Sequence, residues 1–237
     1  MNKGAVLYAN RSSASKWEEF VISPAGSGSS SPQTGGFAVS EQQFNQIFPN
    51  RNGFYTYSGL IAALGAYPGF AKTGGATIEK QEAAAFLANV YHETGGLYYI
   101  VEQNKANYSH YSDPSNTRYP SAPGKQYYGR GPIQISWNYN YGAAGEALGL
   151  PLLADPGLVA RDSSVAWKTG LWFWNTQTGA GTMTCHNAMV NSGGFGETIR
   201  TINGSLECNR GGGGPVQSQY KRICGILGVS PGNNLSC

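Results

Sequence analysis

Residues 24–36, Pro-Ala-Gly-Ser-Gly-Ser-Ser-Ser-Pro-Gln-Thr-Gly-Gly, hold no apolar side chain able to anchor a core, and they read as a flexible linker. This run confines the fold. The head before it, residues 1–23, offers two strand-like pieces, Ala5–Ala9 and Trp17–Ile22, which together are too few to bury a core alone. The head is either a remnant of a larger β module or an arm that packs on something else. A stable core therefore has to come from residues 37–237, a stretch long enough to supply one without help.

Within that body the helical signals dominate. Ser40 followed three residues later by Gln43 forms a capping box ahead of Phe44, Ile47 and Phe48. A second helix is expected over Ser58–Ala66. A third is expected to start with Thr77 as its N-cap, carry Glu79 and Glu82 in its first turns, and stop at Gly95-Gly96. Further helices are expected at Tyr139–Leu148, Ser164–Thr176, Gly196–Asn203 and Val216–Leu227, with Tyr98–Val101 as the best short strand. The expectation is a mainly α body with long Gly-rich loops, and loops of that kind are where a site would sit.

Charge narrows the function. Lys, Arg, Asp and Glu make up 12% of the chain, about half the usual share, and the net charge is only +3 with the 16 basic residues scattered. No basic stripe argues for nucleic acid. Apolar runs such as Phe86–Val90 and Leu171–Trp174 fall far short of the roughly 18 residues of a membrane span, so no membrane partner is expected. The opening Met1–Leu7 is too brief for a signal-peptide core, and an export signal is expected to be absent or already removed. Four cysteines, Cys185, Cys208, Cys224 and Cys237, form an even set without CxxC spacing, which suits disulfides and an oxidising, extracellular setting better than a metal.

Common catalytic motifs are missing. His92-Glu93 meets Gly96 where HExxH requires its second histidine, and there is no GxSxG elbow, no GxxxxGK[ST] loop and no GxGxxG after a strand. Carboxylate chemistry remains. Among only 13 acidic residues, Glu93 and Glu102 stand out. Glu93 falls at the C-terminal end of the third helix, where the macrodipole and apolar neighbours both disfavour ionisation, as suits a general acid. Glu102 precedes Gln103, Asn104 and Asn107, a polar setting in which a carboxylate can stay ionised as a base. A helix end, a Gly-Gly turn and a short strand can bring the two across a cleft. Their separation would set the stereochemistry, since about 6.5–9.5 Å leaves room for a water and gives inversion, whereas about 5–5.5 Å gives retention.

The run Tyr127-Tyr128-Gly129-Arg130-Gly131-Pro132-Ile133-Gln134-Ile135-Ser136-Trp137-Asn138-Tyr139-Asn140-Tyr141, with His92-Glu93-Thr94-Gly95-Gly96, resembles the family 19 glycoside hydrolases, the chitinases of plants and actinobacteria. Ala166–Trp174, Ile202–Cys208 and the ending Leu227–Cys237 match in the same order, so the likeness covers about Phe37 to Cys237. The resemblance implies a mainly α-helical, lysozyme-like, two-lobed fold with a deep central cleft. It implies hydrolysis of β-1,4 bonds in chitin or N-acetylglucosamine oligosaccharides with inversion, by a secreted monomer that uses no metal and no cofactor. By motif, Glu93 matches the acid, Glu102 the base, and Ser136 the hydroxyl that helps hold the attacking water. Gln134, Tyr139, Asn140, Lys168, Asn203 and Glu207 match sugar-contacting or site-organising positions. Trp172 and Trp174 read as packing, His92 as a buttress of the acid, and Arg130 as a loop brace acting by ion pairing. The short link between the two glutamates resembles the compact bacterial branch, in which fewer sugar subsites are expected.

The same resemblance makes Cys208–Cys237 the expected disulfide and leaves Cys185 and Cys224 either paired or free. One departure stands out. Val216–Arg222 is about three residues shorter than the family's usual segment and lacks an expected arginine, so either Arg210 or Arg222 replaces it beside Glu207 or that carboxylate is less well neutralised. Two other readings follow from the same residues: a catalytically silent chitin-binding, lectin-like protein, or an endolysin that cuts peptidoglycan.

Overall fold

The computed structural model describes residues 36–208 and 211–237. The expected head at 1–23, nearly all of the linker, and Arg210 lie outside these residues. Among the described residues, eight α-helices follow in order: α1 Glu41–Ile47, α2 Tyr57–Leu64, α3 Ala76–Thr94, α4 Asn138–Leu148, α5 Ser163–Thr176, α6 Cys185–Val190, α7 Phe195–Glu207 and α8 Gly214–Leu227. Single 3-10 turns occupy Lys105–Asn107 and Pro156–Ala160. The mainly α expectation holds.

Local chemistry explains most of the helix boundaries. The Gln43 amide N–H donates to the Ser40 hydroxyl at 3.2 Å while the Gln43 side chain accepts the Ser40 N–H at 2.9 Å, closing the capping box. Thr56 caps α2 and Asp162 caps α5, its carboxylate taking the Val165 N–H at 3.0 Å. Gly95, at φ 60°, ends α3 in the left-handed conformation that glycine adopts without strain.

The third helix does not start as expected. Thr77 lies inside its first turn, and the entry is made by Gly75 at φ 86° with no side-chain cap, because the Gly74-Gly75 pair turns the chain directly into the helix. The Tyr98–Val101 strand is also not formed. The N–H groups of Tyr98 and Tyr99 both bond back to the Thr94 carbonyl, at 3.1 and 3.0 Å, and this holds them in a turn. Only Val101 pairs, in an isolated bridge to Arg130. Helix α7 runs past its expected end at Asn203, but that residue sits at φ −147°, ψ 38° and kinks it.

Two hydrophobic cores organise the body. The larger joins α1–α3 and α6–α8 with one face of α5, and is dense in aromatics such as Phe44, Phe86, Trp167 and Trp174. The smaller gathers Tyr127, Ile135, Tyr141, Ala144, Leu152, Val159 and Trp172 around α4 and the other face of α5. Helix α5 therefore belongs to both, and Trp172 and Trp174 are packing residues, 2% and 0% exposed. Helix α3 runs through the larger core and packs most extensively on α8.

A carboxylate is sunk in that core. Glu82 is fully buried and accepts hydrogen bonds from the Ala71 N–H at 2.9 Å, the Trp174 Nε1–H at 2.9 Å and His186 Nδ1 at 2.6 Å. Three donors on one carboxylate offset its desolvation, and the hydrogen bond to that carboxylate raises the His186 pKa in return. Cys208 and Cys237 form a disulfide, whereas Cys185 and Cys224 are free, buried thiols.

Candidate active site

The two glutamates are carried by different supports. Glu93 projects from the last turn of α3, rooted in the larger core. Protein crowds its carboxyl, and this burial pushes its pKa up from 4.5 to about 7, with the Glu207 carboxylate raising it further and His92 pulling it down. His92 Nε2 lies 2.9 Å from Glu207 Oε1, so the end of α3 and the end of α7 meet through this pair.

Glu102 hangs on a backbone clasp. Its N–H donates to the Gly129 carbonyl at 2.8 Å, the Gly131 N–H donates to Ile100 at 2.9 Å, and Arg130 and Ile135 exchange bonds at 3.2 and 3.0 Å. These links tie the segment bearing Glu102 to the loop that carries Gln134 and Ser136, and the loop's Tyr127 and Ile135 enter the smaller core. Glycine is required at position 131, where φ is +77° and a Cβ would meet Val159 at 3.1 Å. The Glu102 carboxylate accepts the Asn104 N–H at 3.0 Å on Oε1 and the Tyr111 hydroxyl at 3.0 Å on Oε2. Tyr111 was not singled out by the sequence motifs. Its only signal is a tyrosine in a loop nine residues beyond Glu102.

Arg130 braces this loop by a different means from the expected ion pair. It is 5% exposed, and its Nη1 donates to the Tyr128 carbonyl and the Tyr141 hydroxyl at 3.1 and 2.9 Å. Its guanidinium lies 3.6 Å from the Tyr128 ring centroid, while the other face of Tyr128 is free to stack with Tyr108. The tyrosines around it take the place of a carboxylate because a planar cation can be held by ring faces and carbonyls.

The remaining residues divide into those joined to the clasp and those apart from it. Ser136 Oγ donates to the Gln134 carbonyl at 3.0 Å and Asn140 Nδ2 to the Ser136 carbonyl at 2.9 Å. Gln134 spends its amide N–H groups on Gly131 and Ile100 carbonyls at 2.9 and 3.4 Å, and it sits at a strained φ of 52°. Tyr139 stacks on Trp137 at 5.8 Å. Lys168, on α5, is half-buried with no hydrogen bond or ion pair among the described residues, and Asn203 is the kink residue of α7. Arg222 does not replace the missing arginine beside Glu207: it donates to Gln219 and to the Ile47 carbonyl at 2.8 and 3.1 Å and lies over the Tyr91 ring.

A mainly helical body with one carboxyl at a helix end and another on a loop suits a class, that of hydrolases that work with a pair of carboxyls. The comparisons with known proteins specify the family. The family description "Chitinase class I" matches residues 38–237. Chitinase C of Streptomyces griseus is 61% identical with a TM-score of 0.83, covering 86% of this chain and 100% of that one. A bacterial family 19 chitinase, described as differing from plant enzymes, is 66% identical with a TM-score of 0.81, covering 85% and 100%. Endochitinase A of Zea mays is 51% identical over 189 residues, which is 78% of this chain and 63% of that protein. The chain thus spans less than two thirds of the maize relative's length. The protein belongs to glycoside hydrolase family 19.

Proposed function

We propose that the protein is a secreted, monomeric endo-chitinase that hydrolyses β-1,4 bonds between N-acetylglucosamine units with inversion, with residues 37–237 as its catalytic unit. The observation that carries this reading is the contrast between the two carboxyls. Glu93, with its pKa raised to about 7, holds a proton to give to the leaving oxygen in about half of the molecules at pH 7 and in most of them below it. Glu102, whose oxygens accept from Tyr111 and Asn104, is arranged as an acceptor and takes the proton of the attacking water. Ser136 supplies a second contact to that water, because one carboxylate alone leaves it free to pivot away from the anomeric carbon.

Gln134, Tyr139, Asn140, Lys168, Asn203 and Glu207 bind sugar or organise the site. Among them Lys168, without a protein partner among the described residues, is the best placed to spend its donors on substrate hydroxyls. Asn140 and Gln134 act chiefly as braces, since their amides are engaged with backbone carbonyls. Secretion is supported by the Cys208–Cys237 disulfide, a bond that persists in oxidising compartments.

Proton NMR of the anomers released from chitin hexamer tests the whole reading, with Glu93→Gln as the control. An initial excess of the α-anomer that is lost in the control is the expected result. Binding of the oligomer without any product would place the protein with the silent, lectin-like readers of chitin, a reading favoured by the missing arginine near Glu207.

A further inference from the structure

Helix α7 is held in two different ways along its length. Its first half is clamped by the C-terminal tail: the Gly196 N–H donates to the Asn234 carbonyl at 2.8 Å, and Arg200 Nη2 donates to the Cys237 carbonyl at 3.1 Å. The Ser236 carbonyl lies so close to Gly196 that any side chain there would collide with it. The tail is fixed in turn to α3 and α8, through Gln81 on the Ser230 carbonyl at 2.8 Å and Tyr220 on Pro231 at 3.0 Å.

The second half lacks that support. At Asn203 the backbone leaves helical geometry, so the turn carrying Glu207 does not inherit the rigidity of the first half. Leu206, the large apolar side chain of that turn, is 49% exposed, and burial does little to hold it. Arg222 is committed to Ile47, and Arg200 to Glu197 and Cys237. Among the bonds that hold this turn are one backbone bond from Gly213 to the Glu207 carbonyl at 3.2 Å, the His92 contact, and the covalent bond one residue away from Cys208 to Cys237.

We propose that the Cys208–Cys237 disulfide is a positioning element of the active site: it bridges the kink in α7, holds Glu207 against His92, and thereby fixes the surroundings of Glu93. The inference rests on the reading of Glu93 as the acid. A tail already clamped at Asn234 gives the bond a fixed anchor, and the bond transmits that anchor past Asn203. The charged groups acting on Glu93 are His92 on α3 and Glu207 on α7. Releasing the turn moves the negative one away and lets Glu93 ionise at lower pH.

The test is the double substitution Cys208→Ser with Cys237→Ser in the full chain, read by kcat, KM and the pH profile on chitin hexamer. The expected result is a kcat lower by about ten- to a hundredfold with little change in KM, and an alkaline limb displaced to lower pH. Glu207→Gln combined with the double serine change should lose little more than either alone, since both break one linkage. Should the serine variant fail to fold, wild-type protein treated with dithiothreitol supplies the same state. The dithiol gives two electrons and two protons, the S–S bond becomes two thiols, and the reagent closes to its own disulfide; reoxidation should restore kcat. A wild-type kcat and pH profile alongside a lowered Tm would overturn the proposal and leave the bond a staple of the tail. Turnover surviving in Glu93→Gln would instead overturn the acid reading itself.

Discussion

The two sides of the site are built on opposite principles. The Glu93 side is a helix end whose environment comes from burial and from a distant carboxylate, Glu207, delivered by another helix. The Glu102 side is a loop clasp in which a backbone bond to Gly129 ties the segment down, and the Asn104 N–H and Tyr111 hydroxyl of the following loop fix one carboxylate locally. In the proposed mechanism, the group that holds its proton is set in a crowded place, and the group that accepts one is given donors. The difference shows how a single fold separates two chemically identical side chains by the support beneath each.

The largest expected effect falls equally on both sides. Glu93→Gln and Glu102→Gln should each lower turnover by about a thousandfold or more while leaving oligosaccharide binding nearly intact, as measured by single-turnover kinetics and titration calorimetry. Substantial residual turnover in either would break the comparison on that side. Ser136→Ala should cost about ten- to a hundredfold, because the water loses one partner and keeps the base; an unchanged rate removes Ser136 from the chemistry.

Tyr111→Phe sharpens the contrast. Removing the hydroxyl from Glu102 Oε2 deletes one hydrogen bond, and a loss of about three- to tenfold in kcat is expected, with the alkaline limb of the pH profile unmoved. Movement of the alkaline limb instead would mean that the two sides are not independent.

The smallest effect is on stability. Burial lets the folded protein hold the Glu93 proton up to about pH 7, above the ordinary 4.5, so the folded state binds it more tightly than the unfolded chain does. The stability this contributes is full below 4.5 and is lost as the pH rises through about 7. Activity should fall in the same window because the acid is spent. Glu93→Gln has no proton to lose, and its Tm should therefore drop less than the wild-type Tm between about pH 5 and pH 8 in calorimetry. Parallel curves would show that Glu93 is already ionised at neutral pH.

Much of this was legible locally. The Ser40–Gln43 box, the Gly95 stop and the position of Glu93 at the end of α3 are written in neighbouring residues. The Tyr-Gly-Arg-Gly-Pro run marked the loop but not its mechanics. That Arg130 is held by tyrosine faces, and that Tyr111 touches Glu102, depends on how a long loop folds back, which no spacing rule encodes. Helix α6 is only six residues long and shows no periodicity to detect. The Thr77 cap was outweighed by the backbone freedom of Gly74 and Gly75. The failed strand at Tyr98 reflects two N–H groups still claimed by the helix before it.

Glu82 bears on how the chain reaches this state. Its donors Trp174 and His186 lie 92 and 104 residues further along. Its shell therefore cannot close until α3, α5 and α6 have met, and until then a carboxylate has to stay in contact with water. Such a group acts as a checkpoint on assembly. It penalises collapsed intermediates in which α3 is buried against the wrong neighbour, and it postpones the final drying of the larger core to a late step. The rate of refolding should respond to substitutions there less than the rate of unfolding does.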